Sequence, residues 1–408
     1  MSGPARHSQF SLIADGSSDE ERLAWTAEFS GPPPALSEAS EQALAQMLAA
    51  PPAWLDLDRA IVDPERMARV PVGPTLLLGI GGSALGARAT LELAEVAGLE
   101  PGPVRILDTV DPFHARDAIE WASANAAKLM VVSKSGSTVE VLALLEACLA
   151  RGLAVGTMIA DPLSATGPTL IRSRLAQVAG SEHCELNLPH DVGGRWSVFS
   201  AVGQAPLHAA KLDARALVDG ARRELARIVA DPARLEPLRR SVAWRLANPA
   251  AHAVMWCYSE VLSGWAAWLQ QLECESLGRT REDGSRTGEL LCILRGPADQ
   301  HSLAQLLLDG PTQGRITVAD FDDEASGSAF GSLADLARLR MVERDACFAS
   351  MTLPTRRMLI RDRGLATLGV LFLHGMMETA LVADATGVSP YGQPAVESIK
   401  RAIRARQS

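Results

Sequence analysis

Two loops in the first third of the chain are rich in the groups that hold phosphate. Leu76-Leu77-Leu78 runs into Gly79-Ile80-Gly81-Gly82-Ser83-Ala84-Leu85-Gly86, an apolar stretch followed by a glycine-rich turn and the start of a helical pattern. Glycine lets a backbone approach a ligand closely, and a helix N-terminus offers unpaired N–H groups to an anion. The spacing is not the dinucleotide GxGxxG, because three glycines fall within positions 79–82. The second loop, Val131-Val132-Ser133-Lys134-Ser135-Gly136-Ser137-Thr138, sets four hydroxyls, one cation and one glycine before a helix. Hydroxyls and helix N–H groups together can wrap a phosphate carried by a neutral molecule, and the GxxxxGK[ST] spacing of a triphosphate loop is absent. Each loop alone could be a turn or a Ser/Thr N-cap. Two of them at neighbouring strand ends, where α/β folds bind ligands, favour a site.

Groups able to move protons lie farther along. Arg195 follows Gly193 and Gly194, which let its guanidinium come close to a ligand; its ordinary alternative is an ion pair with Asp191. Glu273 and Glu275 are two apart, so on a helix they point to nearly opposite sides and only one can face a common pocket. The stretch from Val261 to Leu272 before them is apolar and contains tryptophan, which partly desolvates a carboxylate at its end. Such a carboxylate also sits at the negative end of the helix dipole, surroundings that suit a proton shuttle. His301 opens a helical run after a polar Gly-Pro-Ala-Asp-Gln loop, where the positive end of the dipole favours a neutral imidazole. Lys400 lies near Arg401, Arg404 and Arg406 in a final helix whose C-terminus such cations complement.

These residues need a scaffold, and the hydrophobic pattern predicts one. From Thr75 onward, short apolar runs at Thr75 to Leu78, Val104 to Leu107, Leu129 to Val132 and Leu153 to Ile159 alternate with helical stretches at Ala84 to Ala97, Pro112 to Ala127 and Thr138 to Ala150. That alternation predicts an α/β fold with a doubly wound parallel sheet. A long helical region is expected from Ser197 to Leu272, and then a second α/β pattern: a strand at Glu289 to Leu294, a helix at His301 to Leu308, a strand at Arg315 to Val318 and a buried helix at Leu365 to Ala385. The expected division is an N-terminal arm and helix over 1–70, a first α/β domain over 71–240 with the phosphate loops, and a second over 241–408 with the glutamate, histidine and C-terminal lysine helix.

The 408 residues are 47% hydrophobic and 21% charged, the usage of a packed globular protein rather than a disordered one. A net charge of -9 argues against a nucleic-acid partner, so phosphate must be met in a local pocket. The six cysteines are scattered with no CxxC pair, which predicts a reducing compartment and no metal site. The N-terminus shows no apolar signal core, and Leu365 to Met377 is too short and polar for a membrane span, so a cytoplasmic protein is expected.

From Thr75 to Lys400 the sequence resembles the glucose-6-phosphate isomerase family. The turn Gly79 to Ser83 and the loop Ser133 to Thr138 are similar to its phosphate-binding segments. The run from Asp191 to Gly203 (DVGGRWSVFSAVG) resembles its first signature, and Tyr391 to Lys400 (YGQPAVESIK) its second. Gln270 to Arg279 resembles the segment with its catalytic glutamate, and Asp299 to Ser302 the one with its histidine. The resemblance implies two parallel-sheet domains of sugar isomerase (SIS) type, a sugar-phosphate substrate and no cofactor. It implies Glu275 as the base, Arg195 as the stabiliser of enediolate charge, and His301 with Lys400 in ring opening, the histidine supplied by the partner subunit of a homodimer. Gly82, Ser83, Ser133, Lys134, Ser135, Thr138 and Gln393 would bind substrate. Trp196 stands where the family usually has Phe or Tyr, and Tyr391-Gly392 where it usually has Phe-Asp. A dual phosphoglucose and phosphomannose isomerase, or a non-catalytic sugar-phosphate sensor, would carry much the same loops.

Overall fold

The computed structural model describes residues 23–163, 170–178, 182–311, 313–322 and 334–407. In chain order the N-terminal part holds β1 (Trp25–Phe29), α1 (Glu38–Ala49), α2 (Leu57–Ala60) and α3 (Pro64–Met67). A first run of alternating elements follows: β2 (Thr75–Leu78), α4 (Leu85–Val96), β3 (Val104–Leu107), α5 (Pro112–Ala124), β4 (Lys128–Val132), α6 (Val139–Leu149), β5 (Val155–Ala160), α7 (Leu170–Ala176) and β6 (Cys184–Asn187). Its five strands are all parallel, in the order β3-β2-β4-β5-β6. β2 is buried along its whole length, which is why it reads as an unbroken apolar run rather than an alternating one. β3 and β4 flank β2 on opposite sides, so the chain reverses direction across the sheet there. The loops after β2 and β4 therefore splay around a crevice, the place where open α/β sheets take ligands.

The second half contains α8 (Ala201–Ala209), α9 (Ala216–Ala230), α10 (Glu236–Ala247), β7 (His252–Cys257), α11 (Leu262–Leu277), β8 (Leu290–Arg295), α12 (Gln300–Asp309), β9 (Gly314–Phe321), α13 (Ala334–Ser350), β10 (Thr355–Ile360), α14 (Leu365–Ala385) and α15 (Pro394–Gln407). Its sheet has the order β1-β10-β9-β7-β8 and is parallel except for β1, which runs antiparallel to β10. Two expectations are corrected here. The region expected to be helical from Ser197 to Leu272 is broken by β7, which pairs with both β8 and β9 inside the sheet. The N-terminal arm is more than a helix, since Trp25–Phe29 forms the edge strand of this second sheet. α14 is long and apolar enough to cross a membrane, but its side chains are core: it packs against α9, α10 and α11.

α11 joins the two halves. It packs on α4 from the first and on β7 and β8 from the second. Gly264 allows the close approach to α4, because a Cβ there would lie 2.4 Å from Glu92 Oε2 and 3.0 Å from Ala89 Cα. Its last turn consequently lies at the seam between the two sheets.

Candidate active site

Glu275 projects from that last turn toward the first sheet. Arg195 Nη1 approaches Glu275 Oε1 at 3.3 Å, and Gln271, one helical turn earlier, donates from Nε2 to Glu275 Oε2 at 3.1 Å. The Arg195 guanidinium is buried and held from three directions: Nε donates to Ser276 Oγ at 2.7 Å, and Nη2 donates to the carbonyls of Pro390 at 2.6 Å and Gly392 at 3.0 Å. Burial pushes its pKa down against the pull of Glu275, but an arginine keeps its charge at neutral pH. Asp191, the alternative partner for Arg195, instead forms a two-pronged ion pair with Arg59.

The C-terminal signature closes over the same carboxylate. With the Gln393 amide turned to satisfy its neighbours, its nitrogen donates to Glu275 Oε1 and its oxygen accepts from Lys400 Nζ at 2.9 Å. Lys400 also donates to Glu397 at 2.7 Å. Arg279, just past α11, secures the loop by donating to the carbonyls of Ser389 (3.0 Å), Tyr391 (3.1 Å) and Gly392 (2.7 Å). The two departures from the family pattern meet at this point. Trp196 stacks on Trp54 with ring centroids 4.9 Å apart and lies 5.8 Å from Tyr391, while Trp54 Nε1 donates to the Tyr391 hydroxyl at 3.0 Å. Helical spacing is the signal that could single out Gln271, which shares a face with Glu275 at i−4. Trp54 and Arg279 carry no such signal.

The glycine turn supplies the other wall. A Cβ on Gly82 would fall 2.4 Å from the Gly194 carbonyl carbon and 2.6 Å from Arg195 N, so only glycine lets this turn seat against the arginine-bearing one. Ser83 ends that turn, with its N–H on the Ile80 carbonyl at 3.3 Å. In the second loop Ser133 Oγ and Thr138 Oγ1 lie 2.9 Å apart, and Ser137 Oγ donates to Ser135 Oγ at 3.1 Å. Thr138 occupies the N-cap position of α6, yet its hydroxyl caps no backbone N–H. Lys134 ties the two segments together by donating to the carbonyls of His190 at 2.8 Å and Val192 at 2.6 Å, and burial pushes its pKa down against Asp161 and Asp191. Its ammonium is thus directed at backbone, three residues before Arg195.

His301 stands apart. It is exposed at the start of α12, and among the described residues no side-chain hydrogen bond or ion pair joins it to Arg195, Glu275 or Lys400. Cys274 Sγ meets the Glu289 carbonyl at 3.5 Å, which puts the end of α11 at the start of β8. His301 follows the opposite end of that strand, roughly 20 Å away at about 3.3 Å per residue. Among the described residues no group of three or more His, Cys, Asp or Glu side chains is placed to hold a metal ion.

A family model described as phosphoglucose isomerase matches residues 71–322. A glucose-6-phosphate isomerase of Thermus thermophilus is 32% identical over 368 residues, covering 81% of this chain and 83% of the relative. A probable glucose-6-phosphate isomerase of Methanococcus maripaludis is 28% identical over 80% of this chain and 76% of its own length. Among solved structures, a hypothetical protein from Thermus thermophilus superposes with a TM-score of 0.74 at 27% identity, over 91% of this chain and 94% of that one. A glucose-6-phosphate isomerase from Chlamydia trachomatis shares the fold, with a TM-score of 0.66 at 20% identity over 90% of this chain and 72% of that one. By sequence and by architecture, this chain belongs to the phosphoglucose isomerase family.

Proposed function

We infer that the protein is an aldose–ketose isomerase that interconverts glucose 6-phosphate and fructose 6-phosphate through a cis-enediol, a step of glycolysis and gluconeogenesis. The observation that carries this reading is the placement of one carboxylate, Glu275, between a buried arginine at 3.3 Å and two glutamine amides, at the seam beside the hydroxyl-rich loops. Ser83, Ser133, Ser135 and Thr138 would hold the phosphate, with Gly82 keeping the turn close and Lys134 fixing the loop. Anchoring that end orients carbons 1 and 2 at the carboxylate.

In this mechanism Glu275 removes the proton from C2 of the open-chain aldose. The C2–H electron pair forms the C1–C2 double bond as the aldehyde oxygen becomes an enediolate oxygen. Arg195 meets the negative charge that develops on the oxygens, and a fixed, buried guanidinium does so without reorganising. The C2 hydroxyl proton passes to the enediolate oxygen on C1, and Glu275 then returns its proton to C1 as the C2 oxyanion collapses to the ketone. Gln271 and Gln393 hold the carboxylate in place between the two transfers. Lys400 and His301 would open the ring. The exposed position of His301 at the far end of β8 supports its delivery from a second copy of the chain in a homodimer. In this reading residues 71–240 grip the phosphate, residues 241–408 bring the glutamate, histidine and lysine, and the enzyme works in the cytoplasm.

The test is turnover by the purified chain with a chelator present. Glucose 6-phosphate and fructose 6-phosphate should interconvert, with mannose 6-phosphate a poor substrate. Equal rates on mannose 6-phosphate would shift the reading to a dual isomerase, and an enzyme that is inactive under chelation but recovers with zinc would refute the metal-free mechanism.

A further inference from the structure

Away from the catalytic seam lies a cavity of about 440 Å³, at the N-terminal ends of β7, β8 and β9. Arg245, Arg281, Arg286, Arg315, Thr287 and Glu289 are among its lining residues. Its floor is a buried ion network. Arg245 donates to both oxygens of Glu273 at 2.7 and 2.9 Å, to Glu289 at 2.6 Å and to Glu378 at 3.3 Å; Arg315 pairs with Glu289, and Arg356 with Glu378 at 3.2 Å. Three guanidiniums thus face three carboxylates, and the floor is neutral in formal charge. Arg245 Nε is nonetheless buried without an acceptor among the described residues. Burial, reinforced by Arg245 and opposed by Glu289, pushes Arg315 down to about 10.

The rim adds two guanidiniums, of which Arg281 feels Asp283 through Ser285 and Arg286 has no carboxylate partner among the described residues. Arg281 donates to the Thr386 carbonyl at 2.8 Å and to Ser285 Oγ at 3.2 Å, with no described carboxylate in ion-pair reach. Arg286 lines the cavity with no side-chain hydrogen bond or ion pair among the described residues. The acidic residues of the same turn, Glu282 and Asp283, do not line the cavity, and Asp283 is engaged by Ser285 at 2.9 Å. A cavity of this size holds a metabolite rather than a bare ion, and convergent guanidiniums suit planar or tetrahedral oxyanions.

We propose that this cavity is a second anion site, for a small phosphate-bearing molecule, set apart from the hydroxyl-rich loops. Residues 279–287 connect it to the catalytic glutamate. They form a tight hairpin, with Thr280 bridged to Arg286, that turns Arg281 and Arg286 to the cavity while Arg279 holds the Ser389–Gly392 carbonyls beside Gln393. An occupant drawing Arg281 and Arg286 inward moves the support of the loop over Glu275, so binding at the second site changes turnover and turnover ligands change binding there. Occupancy does not depend on which sugar phosphate reacts.

The experiment is calorimetric titration of the full chain with inorganic pyrophosphate and, separately, with 3-phosphoglycerate, at about 0.15 M salt to screen diffuse attraction. Two sites per chain are expected for at least one probe. Arg286→Glu should remove one of them and Ser135→Ala with Thr138→Ala the other, while Arg286→Ser should weaken the first about tenfold or more. Binding by pyrophosphate points to free phosphates as occupants, and binding only by 3-phosphoglycerate to a phosphorylated metabolite. Because the Arg286 side chain has no hydrogen-bond or ion-pair partner among the described residues, the two Arg286 variants should melt like the parent. The kinetic counterpart is a non-competitive component in the effect of the probe on fructose 6-phosphate turnover, absent in Arg286→Glu. A single site per chain, unchanged in Arg286→Glu and lost with the loop hydroxyls, would overturn the proposal.

Discussion

Glu273 and Glu275 stand two residues apart on one helix and meet opposite surroundings. The Glu275 side chain keeps 19% of its surface exposed and has as neighbours one guanidinium and two amides. That of Glu273 keeps 6% and is clasped by Arg245 inside the ion network under the second sheet. Burial pushes Glu273 up and Arg245 opposes it, so the group is fixed as one half of a pair. The helical period decides which is which, since a displacement of two residues turns a side chain about 200° around the axis. In the proposed mechanism the carboxylate whose partners leave it one open side does the proton chemistry, and the one they enclose holds structure.

Exchanging the two roles by mutation is the strongest way to break this contrast. Glu275→Gln should lower kcat by on the order of 10³ with little change in thermal stability, whereas Glu273→Gln leaves Arg245 under-paired in the core and should cost about 3–5 kcal/mol in denaturant unfolding. If Glu273→Gln instead abolished turnover in a stably folded protein, the assignment would be inverted. A smaller effect sharpens the same line. His374, buried on α14, accepts a hydrogen bond from Trp25 Nε1 at 3.0 Å, and burial pushes its pKa down to about 4 against Glu224 and Glu378, with Arg234 adding to the depression. An unfolded histidine binds its proton near 6.5. Its contribution is therefore complete above that pH, is lost as pH falls from 6.5 toward 4, and amounts to about 3 kcal/mol. His374→Gln should remove that part of the acid sensitivity, read as unfolding free energy against pH. Smallest is Trp54→Phe, which deletes the bond to Tyr391 and should cost about 1 kcal/mol, visible as a raised KM if the aromatic stack steadies the Gln393 loop and as a stability loss alone if it does not.

The candidate site is legible in the sequence wherever its residues are local. Glycine turns, hydroxyl loops and the two signatures are short, and the backbone they need is written within a few positions. The opposed faces of Glu273 and Glu275 follow from helix geometry alone. What escapes a sequence reading depends on partners far away. β1 is a strand because β10, some 330 residues later, offers its edge, and nothing within Trp25–Phe29 announces that. β7 is buried at most positions, so it lacks the alternation that marks a half-exposed strand, and helices on both sides absorb it. α13 and β10 are likewise absent from the sequence-based expectation. Arg245, Glu289, Arg315, Arg356 and Glu378 look in sequence like scattered surface charge; only the packing of α10, α11 and α14 on the sheet gathers them.

The central claim, that one carboxylate carries a proton from C2 to C1, is tested most directly by isotope exchange. Fructose 6-phosphate incubated in D2O with the wild-type chain should give glucose 6-phosphate carrying deuterium at C2, with some residual direct transfer of hydrogen from C1. Glu275→Gln should bind the sugar phosphate with nearly unchanged affinity and incorporate no deuterium at either carbon. Exchange that persists at the wild-type rate in Glu275→Gln would contradict the account.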